Sequence, residues 1–180
     1  MRVIGGEFRS RQIKSPAGLE TRPTPDRLRE ALFNILSPKI HGAVFLDAYA
    51  GCGSVGVEAL SRGAAKAVFI ERNKANVVLI RENLASLGVL DRGQVIHGGV
   101  TTYLGKVAAD IYFLDPPYER VEEYEAALGL LQSRVDATII AQHTSREKLA
   151  DEYGALRRAR VVKQGDNSLS FYEVSATTDS

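Results

Sequence analysis

The sequence predicts an α/β fold, a mostly parallel sheet with helices on both faces. Three observations predict it. From residue 43 to residue 143, short apolar runs alternate with segments of helical period. A glycine-rich turn follows the first of these runs, as at a strand-to-helix junction. The acids Asp47 and Glu71 close two successive runs, and ligands of such sheets bind beyond the carboxyl ends of the strands.

Residues 1–22 are rich in Gly, Arg, Ser and Pro. They read as short strands and turns, a small basic extension ahead of a main domain over residues 23–180. Thr24-Pro25-Asp26 is a helix start, with a capping hydroxyl, proline at the first helical position and acid in the first turn. Leu28, Ala31, Leu32, Ile35 and Leu36 follow at helical spacing, and Ser37-Pro38 ends the helix. A buried strand over 44–47 leads into a helix over 54–61. Next come a strand over 67–71, a helix over 73–87 stopped by Gly88, and strands over 94–97 and 110–114. A helix over 122–132, a strand over 137–143 and a short helix over 145–152 precede two β-rich runs, 160–164 and 168–174. Only three residues separate these runs, so they form an antiparallel pair.

The chain has 180 residues, 44% hydrophobic and 25% charged, which fits one globular domain. The single Cys52 excludes an internal disulfide, and no Cys/His cluster has zinc spacing. The start lacks the apolar core of a signal peptide, and no apolar run spans a bilayer; both favour the cytoplasm. The net charge is +1, but its distribution is uneven. Arg2, Arg9, Arg11 and Lys14 face Glu7 alone in residues 1–16, while Arg157, Arg158, Arg160 and Lys163 have no acid within residues 153–165. Local basic patches supply phosphate contacts, although for either cluster taken alone a solvated surface is the better reading.

Gly51-Cys52-Gly53-Ser54-Val55-Gly56 matches the G-x-G-x-x-G pattern, and Glu71 lies twenty residues beyond Gly51. Read alone, this fits a dinucleotide. Asp47 argues against one, because a carboxylate near the loop repels a pyrophosphate. S-adenosylmethionine has no phosphate; it carries an ammonium, a sulfonium and a carboxylate, which suit an acid beside a glycine turn. Glu71 can then accept from ribose hydroxyls. Cys52 lies inside the loop, so its expected job is packing, which weighs against a pyrimidine-C5 methyltransferase.

The fourth strand runs into Asp115-Pro116-Pro117-Tyr118. An exocyclic amine on a base is a poor nucleophile because its lone pair is delocalised into the ring. Asp115 and the Pro116 carbonyl can each accept one of its hydrogen bonds and aim the lone pair at a methyl group. The prolines stiffen the turn, and Tyr118 can stack on the base, worth roughly 1–3 kcal/mol. The base must leave its stack or already lie in a loop, and no metal is required.

With these motifs in view, the chain resembles the RsmD family, which methylates the exocyclic N2 of a guanine in bacterial 16S ribosomal RNA. The resemblance begins with Met1-Arg2-Val3-Ile4-Gly5-Gly6. Its most particular segment runs from Arg22-Pro23-Thr24-Pro25-Asp26-Arg27 to Asn34, and it continues through the glycine loop, Phe69-Ile70-Glu71-Arg72-Asn73 and the Asp115–Tyr118 motif. It implies a Rossmann-like seven-stranded class I methyltransferase sheet with a small N-terminal β/helix extension. It implies S-adenosyl-L-methionine as cofactor, held by Asp47, Tyr49, Ala50, Gly51, Gly53, Ser54, Glu71 and Arg72. Gly98 and Gly99 stand where many methyltransferases set a polar side chain against adenine, so backbone takes that contact here. Catalysis falls to Asp115, Pro116, Pro117 and Tyr118. The RNA contacts expected are Arg2, Arg9, Arg11, Lys14, Arg22, Thr24 and Arg27, with Arg29 also near the mouth. The partner implied is 16S ribosomal RNA, within the small ribosomal subunit or an assembly intermediate, met by a cytoplasmic monomer without a membrane role. The family loop commonly has leucine and phenylalanine where Ala48 and Tyr49 stand, and serine at Cys52.

Within the same chemistry, the rival target is adenine N6 of DNA or RNA, since the Asp115–Tyr118 motif serves there too. No dedicated target-recognition domain accompanies it in 180 residues. A glutamine-methylating enzyme would have asparagine at Asp115, and an NAD-dependent oxidoreductase is disfavoured by Asp47.

Overall fold

A computed structural model describes residues 1–17, 24–117 and 120–175. Its helices are α1 (Asp26–Ile40), α2 (Ser54–Ser61), α3 (Lys74–Ser86), α4 (Val100–Tyr103) and α5 (Val121–Gly129). The strands are β1 (Val44–Asp47), β2 (Lys66–Glu71), β3 (Gly93–His97), β4 (Ile111–Leu114), β5 (Thr138–Thr144), β6 (Glu152–Tyr153), β7 (Leu156–Gln164) and β8 (Asn167–Val174). They form one sheet in the order β3-β2-β1-β4-β5-β8-β7-β6. β1 to β5 pair in parallel, and the last three strands are antiparallel. The expected α/β class and parallel order are present, with one strand more than the seven expected.

The additional strand is β6, where sequence period suggested a helix over 145–152. Two contacts override that local preference. Arg158 N–H donates to Asp151 O at 2.8 Å, and Glu152 pairs with Arg157, so β7 claims the backbone. Leu149 meanwhile drops into the core beside Leu156 and Tyr172.

Both faces of the parallel strands are covered, which explains why β4 is buried at every position. α1 lays Leu28, Leu32, Phe33, Leu36 and Ile40 on Phe45, Phe113 and Ile140. The opposite face carries Tyr124, Leu128 and Leu104 over Leu46, Tyr112 and Ile139. Pro38 lies inside α1, not at its end. An interior proline costs about 3 kcal/mol; burial of Leu36 and Ile40 on either side of it offsets that cost. At the other end, Pro25 occupies the cap position and no side chain caps the helix. The Thr24 hydroxyl, expected as the cap, instead donates to Gln142 Oε1 at 3.2 Å.

The N-terminal residues share this core. Val3, Phe8 and Ile13 pack with Leu60, Phe69, Ile80 and Leu84. The Glu58 carboxylate accepts the Ile4 and Gly5 N–H groups at 2.9 Å each. Arg29, expected near the mouth, is fully buried. It donates to Arg2 O at 2.7 Å and Asp26 at 3.2 Å, and its Nε lies 3.9 Å from Glu58. A guanidinium hydrogen-bonded to the Arg2 carbonyl and Asp26, with the Glu58 carboxylate as its buried ion-pair partner, becomes a bolt between α1, α2 and the chain start. The boundary expected between residues 22 and 23 lies outside the described residues. Among the described residues no helix is long and apolar enough to cross a membrane.

Candidate functional site

The carboxyl ends of the parallel strands open on a cavity of about 530 Å³, of a size that encloses a small ligand. Parallel register aligns Asp47 with Phe69 and Phe113, and Leu114 with Ala141. Asp47, Glu71, Asp115 and Gln142 thereby reach one rim, and all four line the cavity.

The glycine loop turns the chain from β1 into α2. Gly51 and Gly53 have φ of 58° and 83°, left-handed values that glycine adopts without steric cost. At Gly56 a Cβ would meet the Phe69 ring at 2.3 Å, so its absence lets α2 close on β2. Two acids hold the turn. Asp47 accepts the Gly56 N–H at 3.0 Å, while Glu71 accepts the Gly51 N–H at 2.6 Å and the Asn73 N–H at 2.9 Å. Glu71 thus braces the loop as well as standing where ribose hydroxyls were expected; a carboxylate oxygen has a second lone pair for each role. Tyr49 donates its hydroxyl to Glu123 at 3.1 Å, tying the loop to α5. Ala50, Ser54, Arg72, Gly98 and Gly99 also line the cavity. A Cβ at Gly98 would meet the Tyr103 ring at 2.2 Å, so the side chain expected there in other methyltransferases has no room. Ile70 and Val100 add apolar wall that sequence reasoning missed. Their signal was only that each adjoins a recognised residue.

Asp115, Pro116 and Pro117 follow β4 directly and line the other half of the cavity. Tyr118 lies outside the described residues, as does Arg22. Burial pushes the Asp115 carboxyl up to about 8, with further upward pressure from Asp47 and Glu147. Asp47 is pushed up to about 7 by burial and by Glu71, opposed by its hydrogen bond from Gly56. Two acids that resist ionisation beside one another make the cavity a site for a cation. An ammonium and a sulfonium match that demand, and a pyrophosphate does not. The glycine turn leaves backbone free to approach a ligand, so these residues fit S-adenosylmethionine.

A pH dependence follows. The folded chain binds these protons more tightly than the unfolded chain, so without a cation it loses stability as pH rises from about 4 to about 8. A cationic ligand lowers both values and expels protons. S-adenosylmethionine affinity is therefore expected to rise roughly tenfold or more from about pH 5.5 to about 7.5. Calorimetry in buffers of different ionisation enthalpy measures the proton release; constant affinity with no proton release would contradict the cation-site reading.

The expected RNA contacts are not gathered in one place. Thr24 is buried in the cavity wall. Lys14 precedes Ser15 and Pro16, which also line the cavity, but its amine pairs with Glu82 at 3.1 Å. Arg11 donates to Ser86 O at 2.9 Å. Arg9 is exposed on a turn anchored to Ser61 at the far end of α2, and Arg2 and Arg27 are exposed. Of the second basic run, Arg158 pairs with Asp151 and Arg157 with Glu152. Cys52 is buried with its thiol pushed up, as packing requires. His97 bonds the Arg72 carbonyl at the rim, and His143 is buried against Ser170 Oγ at 2.8 Å. Among the described residues no group of three His, Cys, Asp or Glu side chains could hold a metal ion.

Residues 1–173 match the family model described as conserved hypothetical protein 95. The chain is 41% identical to ribosomal RNA small subunit methyltransferase D of Escherichia coli K12 over 138 residues, 76% of this chain and 65% of the relative. The solved structure of the Escherichia coli chain yhhF matches it with a TM-score of 0.84, at 31% identity over 98% of each chain. An RNA methyltransferase from Salinibacter ruber, solved with S-adenosyl-L-homocysteine, matches in fold with a TM-score of 0.68. It is 16% identical, over 86% of this chain and 95% of its own.

Proposed function

The chain belongs to the family of conserved hypothetical protein 95, the RsmD family of S-adenosylmethionine-dependent methyltransferases, and from that premise we propose that it methylates the exocyclic N2 of a guanine in 16S ribosomal RNA. The observation that carries the reading is Asp115 followed by two prolines at the end of β4, facing the glycine loop across one cavity. The relative named for small-subunit ribosomal RNA supports an RNA of that class as the substrate.

Bound S-adenosylmethionine supplies an electrophilic methyl group. Everything else falls to the chain. Asp47 and the glycine loop carry the cationic and carboxylate end of the cofactor, Glu71 and Arg72 border its ribose, and Gly98 and Gly99 offer backbone to its adenine. Asp115 accepts one N–H of the guanine amine and the Pro116 carbonyl accepts the other, so the nitrogen lone pair leaves ring conjugation and points into the cavity. Holding donor and acceptor in this alignment supplies roughly 7–11 kcal/mol of barrier reduction. The proton lost from the amine moves to an Asp115 carboxylate oxygen. Pro116 and Pro117 stiffen the turn, and Tyr118 stacks on the base. The base reaches this depth only when unstacked from its neighbours. Lys14 and Arg27, next to segments that line the cavity, contact phosphates at its mouth; Arg2, Arg9, Arg11 and Arg22 are the further RNA contacts, Arg9 and Arg11 at the far ends of α2 and α3.

Incubation with labelled methyl donor and small-subunit RNA, naked and as ribonucleoprotein, tests the reading. Label is expected in the RNA. Label confined to protein, or to no macromolecule under either condition, would contradict it.

A further inference from the structure

Among the polar side chains of the cavity, Gln142 is accounted for by neither the cofactor nor the Asp115 turn. Gln142 stands near the end of β5, one residue past Ala141, the register partner of Leu114. It is therefore the neighbour of Asp115 across the β4–β5 pair. It is only 5% exposed, yet it lines the cavity together with Asp115, Pro116 and Phe113.

Three bonds fix its pose. Its backbone is paired with Leu169 of β8, and its carbonyl accepts the Tyr124 hydroxyl at 2.6 Å. Its side-chain Oε1 accepts the Thr24 hydroxyl at 3.2 Å. That last bond places Oε1 against Thr24. With Oε1 committed to Thr24, the amide nitrogen is left with no partner among the described residues, at the wall of the cavity. A donor free at a cavity wall is available to a ligand that brings an acceptor.

Resting on the guanine-N2 reading, we propose that Gln142 is a base-reading residue. Its Nε2 donates to a ring acceptor of the target base while Asp115 holds the neighbouring amine. On guanine, N3 adjoins the amine-bearing carbon and is an acceptor. Thr24 is the positioning residue: its hydroxyl, donating to Oε1, anchors the amide at the cavity wall. The role explains why this hydroxyl is spent on Gln142 and not on capping α1. It also gives the first turn of α1 a function in substrate choice without direct contact with RNA.

The test is single-turnover methylation of small-subunit RNA by the full chain, with cofactor affinity measured in parallel. Gln142→Ala is expected to slow transfer roughly tenfold to a hundredfold, with S-adenosylhomocysteine affinity within about twofold of wild type. RNA carrying 3-deazaguanine at the target lacks the N3 acceptor. It is expected to slow the wild-type protein by a similar factor and to slow Gln142→Ala no further. Thr24→Val is expected to lose part of the rate and Thr24→Ser to restore it, because serine keeps the hydroxyl; these variants leave Gln142 in place should Gln142→Ala fold poorly. Wild-type rate in Gln142→Ala, or full additivity of that variant with the 3-deaza substitution, would overturn the proposal. A product other than N2-methylguanine from the wild-type chain would overturn the guanine reading itself, and the two failures are told apart by the nucleoside formed.

Discussion

Asp115→Ala is expected to lower single-turnover methyl transfer by roughly two to three orders of magnitude, as removal of a preorganised group at a reacting centre does. Cofactor affinity should fall much less, by the loss of one of the two acids that face its cation. The glycine loop, Asp47 and Glu71 lie on β1, β2 and the turn between β1 and α2, and none of their hydrogen bonds runs through Asp115. Asp115→Asn separates geometry from charge: it keeps a carbonyl acceptor and loses the carboxylate. Partial activity would assign the work to orientation of the amine, and near-complete loss to the charge that receives its proton. Both variants should fold, since the carboxyl makes no hydrogen bond within the described residues and its ionisation is opposed by burial. Undiminished transfer in Asp115→Ala would remove the catalytic assignment.

Glu58→Ala is expected to have the largest effect on stability, about 3–5 kcal/mol. Glu58 and Arg29 are both fully buried, and Glu58 also accepts from Ile4, Gly5 and Arg62. Truncation leaves the guanidinium of Arg29 without its interior carboxylate and two backbone donors without acceptors. For a chain of this length the melting temperature should fall by about 10 °C or more. Adding Arg29→Met should recover part of the loss, because removing the stranded charge costs less than leaving it. A fall of less than about 1 kcal/mol on denaturant titration would contradict this account of the buried pair. Residues 1–16 are accordingly not a detachable RNA contact: their deletion removes Val3, Phe8 and Ile13 from the core as well as four basic side chains.

Much of this site was legible in the sequence because its signals are local. Residues 44–47 and 54–61 form β1 and α2 as expected, since a short apolar run, an acid and spaced glycines leave the chain few options. The same holds for Asp115, whose place follows from strand order alone. Most of the misreadings involve partners outside the segment being read. Thr24 looks like a cap until Gln142, 118 residues away, claims its hydroxyl. Arg29 looks like a residue at the mouth of the site until Glu58 and the Arg2 carbonyl surround it. Residues 145–152 have helical spacing, but β7 offers a ladder that the spacing cannot reveal. Gln142 itself sits in an apolar strand with no motif, and its significance comes entirely from which residues adjoin it.

The central claim, transfer of a methyl group to a guanine amine beside Asp115, is tested most directly by digesting the labelled RNA from a single wild-type turnover and identifying the methylated nucleoside by mass spectrometry. The expected product is N2-methylguanosine from small-subunit RNA, absent when Asp115→Ala replaces the wild-type chain. Methyladenosine, or N2-methylguanosine formed equally well by Asp115→Ala, would contradict it.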